Sequence, residues 1–471
     1  MSFNSIYFLN FIFIVVIVNY FIKQQHRAFF LSIASVFFIF CFNIESLVSL
    51  FVFSIFTFLI AFKVSSNKML FYLSIAINIL ATVLFNYLTF KNKSVEITVT
   101  CISFDINRFL IALGLSFYSL QNISYLIEIR NKNLRPETNF VNYFLFNGFF
   151  AKIISGPIIQ PTVFFSQSIN RLITNQDLVF GFQRILLGLF KKLVVADRLA
   201  PAVASIFNYD NNYSGLTTLA AIYLFTLQLY FDFSGYIDIA LGAARMVGIN
   251  LPENFNFPFR STSISEFWRR WHITLINWLT NYIYYPIVYQ LRSWKKMATV
   301  VGILITFFVS GIWHGIGFTF LAWAGCHILY LMFELFTKTI RFELKSKISP
   351  FLFKLIAVFI VFNLVCFSNV FFRAASFSKA ISLIKNVFTR FIPGDFISDF
   401  IAPLAVGGHQ EERFNFYSSI LFSVLFLLFE RKINKIAINS KYSVGFIVCS
   451  VLLLFIFGIF TSGERFIYMQ F

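Results

Sequence analysis

The apolar residues of this chain are gathered into runs long enough to cross a bilayer, and no other feature constrains its fold as tightly. The runs fall near residues 6–22, 28–44, 47–62, 69–90, 106–127, 141–159, 177–195, 216–247, 299–333, 351–372, 416–429 and 444–460. Hydrocarbon offers no water to backbone N–H and C=O groups, so a spanning segment closes its hydrogen bonds internally, as a helix does. At roughly 20 residues per span, with the longer runs broken or doubled, the pattern predicts an all-α polytopic membrane protein of about 11 to 14 transmembrane or re-entrant helices. Charged residues make up 12% of the chain, about half the share of a soluble domain, which excludes the soluble class.

The first run begins close to Met1 without a basic leader or a small-residue cleavage site, so it reads as the first helix and not as a signal peptide. Basic loops at 23–27, 63–68 and 128–137 alternate with the loop at Glu45, which predicts an extracytoplasmic N-terminus by the positive-inside rule. Lys91 and Lys93 are the exception and fall outside in that count. A formal net charge of +18 raises nucleic acid as a partner. The Lys and Arg residues are instead spread over short loops and helix ends, where they meet the anionic headgroups of membrane lipids, so no nucleic acid is expected. Five cysteines, Cys41, Cys101, Cys326, Cys366 and Cys449, stand singly in apolar segments without metal-ligand spacing and read as small buried hydrophobes.

Chemistry-bearing residues begin near Gly114. From there to Ala374, Gly, Pro and polar residues interrupt the apolar runs, and Pro136, Pro157, Pro161, Pro201, Pro252, Pro258 and Pro286 break or kink helices. Broken backbone at membrane depth is tolerated only against protein or a wet cavity. The run Tyr230-Phe231-Asp232-Phe233-Ser234-Gly235-Tyr236-Ile237-Asp238 carries two carboxylates, which on a helix differ by about 240° and do not share a face. A structural ion pair, for instance with Arg245, is the simpler account of each. The Asn- and Pro-rich stretch 251–260 is not helical. Ser263 and Glu266 form a capping box that starts a helix presenting Trp268, Arg269, Arg270, Trp271 and His272. The arginines could hold phosphates or acidic groups, or the Trp and Arg residues could be interfacial anchors, which taken alone is the simpler reading.

Between Met297 and Gly325 the sole His, Lys, Arg, Asp or Glu is His314, within Val309-Ser310-Gly311-Ile312-Trp313-His314-Gly315. An ionisable group at membrane depth faces protein or water and marks a functional site by default. The plainer alternative is that Gly311 and Gly315 form a small-residue packing face, with His314 merely hydrogen-bonded across it. His327 lies thirteen residues on, about 20 Å of rise in one helix, which argues against a shared metal site. General-base work remains open to His314, since a neutral imidazole takes a proton from a hydroxyl or thiol attacking an acyl carbonyl. His409 reads as a residue of the watery loop 392–415.

Taken in order, several strings resemble the membrane-bound O-acyltransferase family, in particular its bacterial alginate O-acetylation and D-alanyl-lipoteichoic acid transfer branch. They are Gly114-Leu115-Ser116-Phe117-Tyr118, Ser155-Gly156-Pro157-Ile158, Gly188-Leu189-Phe190-Lys191-Lys192 leading to Ala196-Asp197, the Tyr230 to Asp238 block, Arg269-Arg270-Trp271-His272, Ile312-Trp313-His314-Gly315, Thr319-Phe320-Leu321-Ala322-Trp323 with His327, and Val370-Phe371-Phe372-Arg373-Ala374. The resemblance implies a ring of helices around a central funnel or tunnel. It divides the chain into N-terminal transmembrane helices (1–105), a catalytic core (106–375) and a C-terminal loop with further transmembrane helices (376–471).

By the same resemblance the family's catalytic histidine falls on His314 and its second motif histidine on His272. Arg269, Arg270, Trp271, Trp313, Tyr230, Asp232 and Ser234 then fall along the substrate or donor tunnel, and no metal is expected. Asn281-Tyr282 and Pro286-Ile287-Val288-Tyr289 depart from the family's Asp-Tyr and Pro-Leu-Gly-Gly segments, and Ile237 replaces a commonly polar residue. These changes bear on acceptor or partner specificity. The implied activity is transfer of an acyl group, with acetyl expected, from a cytoplasmic donor to hydroxyls of a cell-surface polysaccharide or peptidoglycan. The donor, acetyl-CoA or a carrier-bound thioester, enters as substrate, and no cofactor is expected. An extracytoplasmic acetyltransferase is the expected partner, and the bacterial cytoplasmic (inner) membrane the expected location. The rival reading is a transporter or flippase of an acylated carrier, which broken helices fit equally well. No internal repeat marks the chain as one.

Overall fold

The computed structural model describes residues 3–91, 112–167, 171–208, 213–390, 410–438, 443–460 and 467. His409, Lys93, Cys101 and most of the loop expected at 392–415 lie outside the described residues. The described chain is helical. In order it forms α1 (Ile6–Phe21), α2 (Arg27–Phe40), α3 (Ile44–Val64), α4 (Lys68–Lys91), α5 (Leu115–Arg130), α6 (Phe140–Gly148), α7 (Pro161–Phe165) and α8 (Asn175–Leu189). A π-helical segment, Phe190–Ala196, leads into α9 (Asp197–Asn208) and α10 (Gly215–Met246). Then follow α11 (Ile264–Trp268), α12 (Ile273–Leu279), a second π-helical segment (Thr280–Tyr284), α13 (Tyr285–Gln290), α14 (Lys296–His314), α15 (Phe318–Phe336), α16 (Lys338–Lys347), α17 (Pro350–Arg373), α18 (Phe377–Thr389), α19 (Gln410–Ile438) and α20 (Ser443–Phe457). Helix α19 begins at Gln410, inside the stretch expected as a loop at 392–415.

Six of the described helices, α3, α4, α10, α14, α15 and α17, are long and apolar enough to cross a membrane. Local chemistry sets many of the starts. Asn43, Ser214, Ser349 and Ser376 each accept a hydrogen bond from a backbone N–H of the first turn, and Thr174 with Asp177 completes a capping box. The two longest apolar runs resolve differently. The run 216–247 is one unbroken helix, α10, whereas 299–333 splits into α14 and α15 at Gly315-Ile316-Gly317.

Helix α10 is the central post. Its apolar window is 72% buried, against 28% to 44% in the other five spans. Antiparallel to it run α8 and the following π segment, close enough that glycine faces glycine. A Cβ at Gly188 would lie 2.5 Å from the Gly235 carbonyl oxygen, and one at Gly242 would lie 2.4 Å from that of Gly181. Around this seam stands a ladder of ion pairs. Asp177 meets Arg171 at 2.8 Å and Arg245 at 2.6 Å, Arg184 meets Asp238 and Glu253 at 2.6 Å, and Lys191 meets Asp238 at 2.7 Å. Lys192 meets Asp197 at 2.6 Å and Asp232 at 2.8 Å. Asp232 and Asp238 are therefore each ion-paired, but not to Arg245, which serves Asp177 one end of the helix away.

Contacts between loops order the two faces of the molecule. Arg130 donates to the carbonyls of Val64 and Ser65 at 2.8 and 2.7 Å, so the basic loops after α3 and α5 share one face. Tyr282 reaches the same face through Glu128 at 2.7 Å. Lys296, at the start of α14, lies 4.3 Å from the Phe336 ring at the end of α15. His314, at the other end of α14, is about 27 Å of helical rise away. Asn86, near the far end of α4, donates to the carbonyls of Ile312 and Trp313.

Replacing Gly188 by Val should lower the melting temperature of the detergent-solubilised protein well beyond Leu329→Ala, whose site is 68% exposed. Asp238→Ala removes the carboxylate of Lys191, leaves Arg184 with Glu253 alone, and should destabilise by about 3 to 5 kcal/mol. Unchanged unfolding midpoints for both variants would remove the seam and ladder from the account of stability.

Candidate active site

The segment 261–284 dips into the protein and returns. Ser263 caps α11 by accepting from Glu266 N–H at 3.0 Å. Only half of the capping box forms, because the Glu266 carboxylate turns to the amide and hydroxyl of Thr262 at 2.8 Å. Glu334, from the end of α15, accepts from the amides of Ile264 and Ser265 and from the Ser265 hydroxyl, placing a carboxylate where a helix start is electropositive. Helix α11 ends at Trp268, short of the expected Arg269 to His272. The chain instead pairs with the non-helical stretch before it: Phe255 bridges Trp271, Asn256 N–H donates to Arg270, and Ile273 N–H donates to Asn254. At the tip His272 takes left-handed backbone angles, φ 45° and ψ 50°, an uncommon state for a residue with a Cβ. Helix α12 then leads back toward Tyr282.

His272 is buried, and its Nδ1 lies 3.2 Å from Asn254 Oδ1. The same oxygen accepts from the Thr274 amide and hydroxyl, both at 3.0 Å. A backbone N–H only donates, so this atom is the amide oxygen, Nδ1 of His272 is the donor, and the imidazole lone pair sits on Nε2. The ring packs edge-on to Phe233 of α10 at 4.8 Å and to Trp313 at 6.4 Å.

His314 closes α14. It is buried in an aromatic cage, edge-on to Trp313 at 4.8 Å, Trp323 at 5.1 Å and Phe372 at 5.3 Å. Trp313 thus stands between His272 and His314. Gly311 and Gly315 do pack as small residues, since Cβ atoms there would meet Ala324 and Phe320 of α15. The packing face and the caged histidine are both present.

His327 is nearer to His314 than one continuous helix allows, because the chain reverses at Gly315-Ile316-Gly317 and both rings meet Trp323 at 5.1 Å. Its nitrogens are engaged. Trp268 Nε1 donates to Nδ1 at 3.3 Å, so Nε2 carries the proton and faces the Ser368 hydroxyl at 3.1 Å. Both ring nitrogens already have partners, so metal ligation would have to displace one of them.

The remaining residues of interest divide. Arg270 is held by Glu266 at 2.7 Å and by the Asn256 carbonyl at 3.2 Å, while Arg269 is exposed. Trp268 and Trp271 are core residues and not interfacial anchors: Trp271 is buried among Tyr230, Phe255, Phe259 and Phe267. Tyr230 donates to Glu430 of α19, and with Ser234 it lines a polar cavity of about 10 Å³ shared with Arg184, Lys191 and Asp238. The Asp232 carboxylate is taken by Lys192 and the Ile467 amide. Asn254, Trp323 and Phe372 complete the surroundings of the two histidines. The first was visible in sequence only as part of a loop.

The chain matches the family model of the membrane-bound O-acyltransferases over residues 37–374. A probable alginate O-acetylase of Pseudomonas syringae pv. tomato is 33% identical over 63% of this chain and 56% of its own length. A peptidoglycan O-acetyltransferase of Helicobacter pylori is 30% identical over 60% and 58%, and a teichoic acid D-alanyltransferase of Bacillus subtilis is 27% identical over 56% and 69%. The matched region thus spans little more than half the length of the first two relatives.

Asn254→Leu leaves His272 Nδ1 and both Thr274 donors without their acceptor and should destabilise by about 2 kcal/mol or more. Asn254→Asp keeps the acceptor and should restore most of that loss, measured by unfolding in detergent. A pH dependence follows at the base of the hairpin. Partial burial raises the Glu266 carboxyl, but the Thr262 amide and hydroxyl and the Arg270 guanidinium outweigh it, so its pKa lies below the ordinary value. Its contribution is present above the ordinary carboxylate range and is lost as pH falls through the depressed value. Glu266→Gln should flatten the acid limb of melting temperature against pH, and an unaltered limb would exclude this group.

Proposed function

This chain belongs to the membrane-bound O-acyltransferase family, and from that premise we propose that it moves an acyl group, expected to be acetyl, onto hydroxyls of a cell-surface polysaccharide or peptidoglycan. The observation that carries the reading is the buried pair of histidines, His272 and His314, on either side of Trp313. His314 is the general base for the attacking hydroxyl. His272, with its lone pair on Nε2, orients or relays that proton.

The arrangement supports a donor arriving from the cytoplasm, the face with the basic loops by the positive-inside rule. The hairpin carrying His272 dips in from that face, and His314 lies toward the opposite end of α14. A funnel of helices would let donor and acceptor meet at the two histidines. The donor is acetyl-CoA or a carrier-bound thioester, and an extracytoplasmic acetyltransferase completes delivery. The location is the bacterial cytoplasmic membrane. The relatives named for alginate, peptidoglycan and teichoic acid support an envelope polymer as the final acceptor.

Reconstituted protein supplied with acyl-labelled thioester on one side should release free thiol and lose label from the carrier. His314→Ala should slow this by about 10² to 10⁴. Label crossing on an intact carrier would establish transport in place of chemistry, and full activity in the variant would remove His314 as the base.

A further inference from the structure

Trp313 is oriented against the habit of its residue type. A tryptophan near the end of a spanning helix ordinarily turns its N–H toward water or a hydrogen-bond acceptor. Here the ring is partly exposed, while Nε1 is buried and has no hydrogen-bond partner among the described residues. Two other indoles in the same region do find acceptors: Trp278 donates to the Leu120 carbonyl at 2.9 Å and Trp268 to His327 at 3.3 Å. A second buried donor beside His272 is also unpartnered. Asn254 Nδ2 has no acceptor among the described residues, although its Oδ1 serves His272 and Thr274. Buried N–H groups without partners are rare in native structures and cost folding free energy. Two of them adjoining one imidazole, one also against His314, mark a place kept for an acceptor atom that arrives with a ligand.

We infer that Trp313 Nε1–H and Asn254 Nδ2–H, the two unpartnered donors that adjoin His272, form a carbonyl-binding subsite that holds the oxygen of the transferred acyl group. The inference rests on the acyl-transfer reading above. In that reaction the acceptor hydroxyl gives its proton to His314 as its oxygen bonds to the thioester carbonyl carbon. The C=O π pair moves onto the carbonyl oxygen, which becomes an oxyanion. Collapse of this intermediate re-forms C=O and breaks the C–S bond, and the departing thiolate takes the proton from the imidazolium. The ester and thiol leave, and His314 is neutral again. Fixed donors in a site poor in water bind the oxyanion more strongly than the neutral carbonyl, so their effect falls on kcat and little on KM. His272 positions the subsite, because its Nδ1–H bond orients the Asn254 amide so that Nδ2 is left for the ligand.

Trp313→Phe keeps an aromatic ring against Phe117, His272 and His314 and removes the donor. With labelled acetyl-CoA, and in parallel a carrier-bound acetyl thioester, kcat for loss of label from the thiol should fall by about 10² to 10³ with KM changed by less than about threefold. The melting temperature should not fall, since no folded-state hydrogen bond is lost. Asn254→Asp, which keeps an acceptor for His272 and Thr274, should show the same split. If the wild-type protein releases no label from either thioester, the acyl-transfer reading itself fails. If the wild type is active and Trp313→Phe keeps kcat within about threefold, or loses it only together with a fall in melting temperature, the carbonyl subsite is overturned.

Discussion

Gly181 and Gly188 of α8 lie against Gly242 and Gly235 of α10 so closely that a methyl group at any of them would meet backbone or side-chain atoms of the partner. This approach sets the geometry of the whole helical core. Two helices at that distance have no room for large side chains along the seam, and the polar groups beside it are withdrawn from lipid and from water. Arg184, Lys191 and Lys192 enter this environment with Asp238, Asp232 and Asp197, each charge opposite another. Stranding one member would be strongly destabilising. The glycines and the charges on α8 recur at intervals of seven, so one helix face carries both.

With α10 fixed in this way, its opposite side becomes the wall on which the re-entrant hairpin rests. Phe233 supports the His272 ring, Tyr230 packs on Phe255, Phe259 and Trp271, and the Tyr236 hydroxyl accepts from the Ser155 amide. The left-handed turn at His272 persists because the backbone on both sides is pinned, by Asn254 and Asn256 before it and Thr274 after it. The same device recurs on the other side of the site, where the Gly315-Ile316-Gly317 reversal brings α15 back along α14 and sets Trp323 against His314 and His327 alike. Rigid aromatic packing holds the histidines on both sides of Trp313.

Much of this was legible in the sequence. The apolar runs required helices, Ser263 marked the start of α11, and an isolated His314 in a long apolar stretch signalled a side chain that faces protein, where it is buried. The capped helix nevertheless stops at Trp268, because strand-like pairing of residues 270–273 with 254–256 competes with helix continuation. Trp268 and Trp271 resemble interfacial anchors by composition but are core residues, since a hairpin that dips inward carries its aromatics with it. The heptad spacing of Asp177, Arg184 and Lys191, matched by Asp238 and Arg245, was a readable signal for the ion ladder. Asn254 gave no signal of its own, because its role depends on the tip of a hairpin eighteen residues later.

By itself the sequence determined the class of fold, all-α with helices long and apolar enough to cross a membrane, because hydrocarbon penalises unsatisfied backbone and solitary charge regardless of neighbours. It also determined that His314 stands alone in its run. Only the tertiary structure decided which charges pair, which helices break, and that His272 and His314 meet across Trp313. Those outcomes depend on contacts between segments tens of residues apart, where small differences in packing and hydrogen bonding choose among partners that local pattern leaves equivalent.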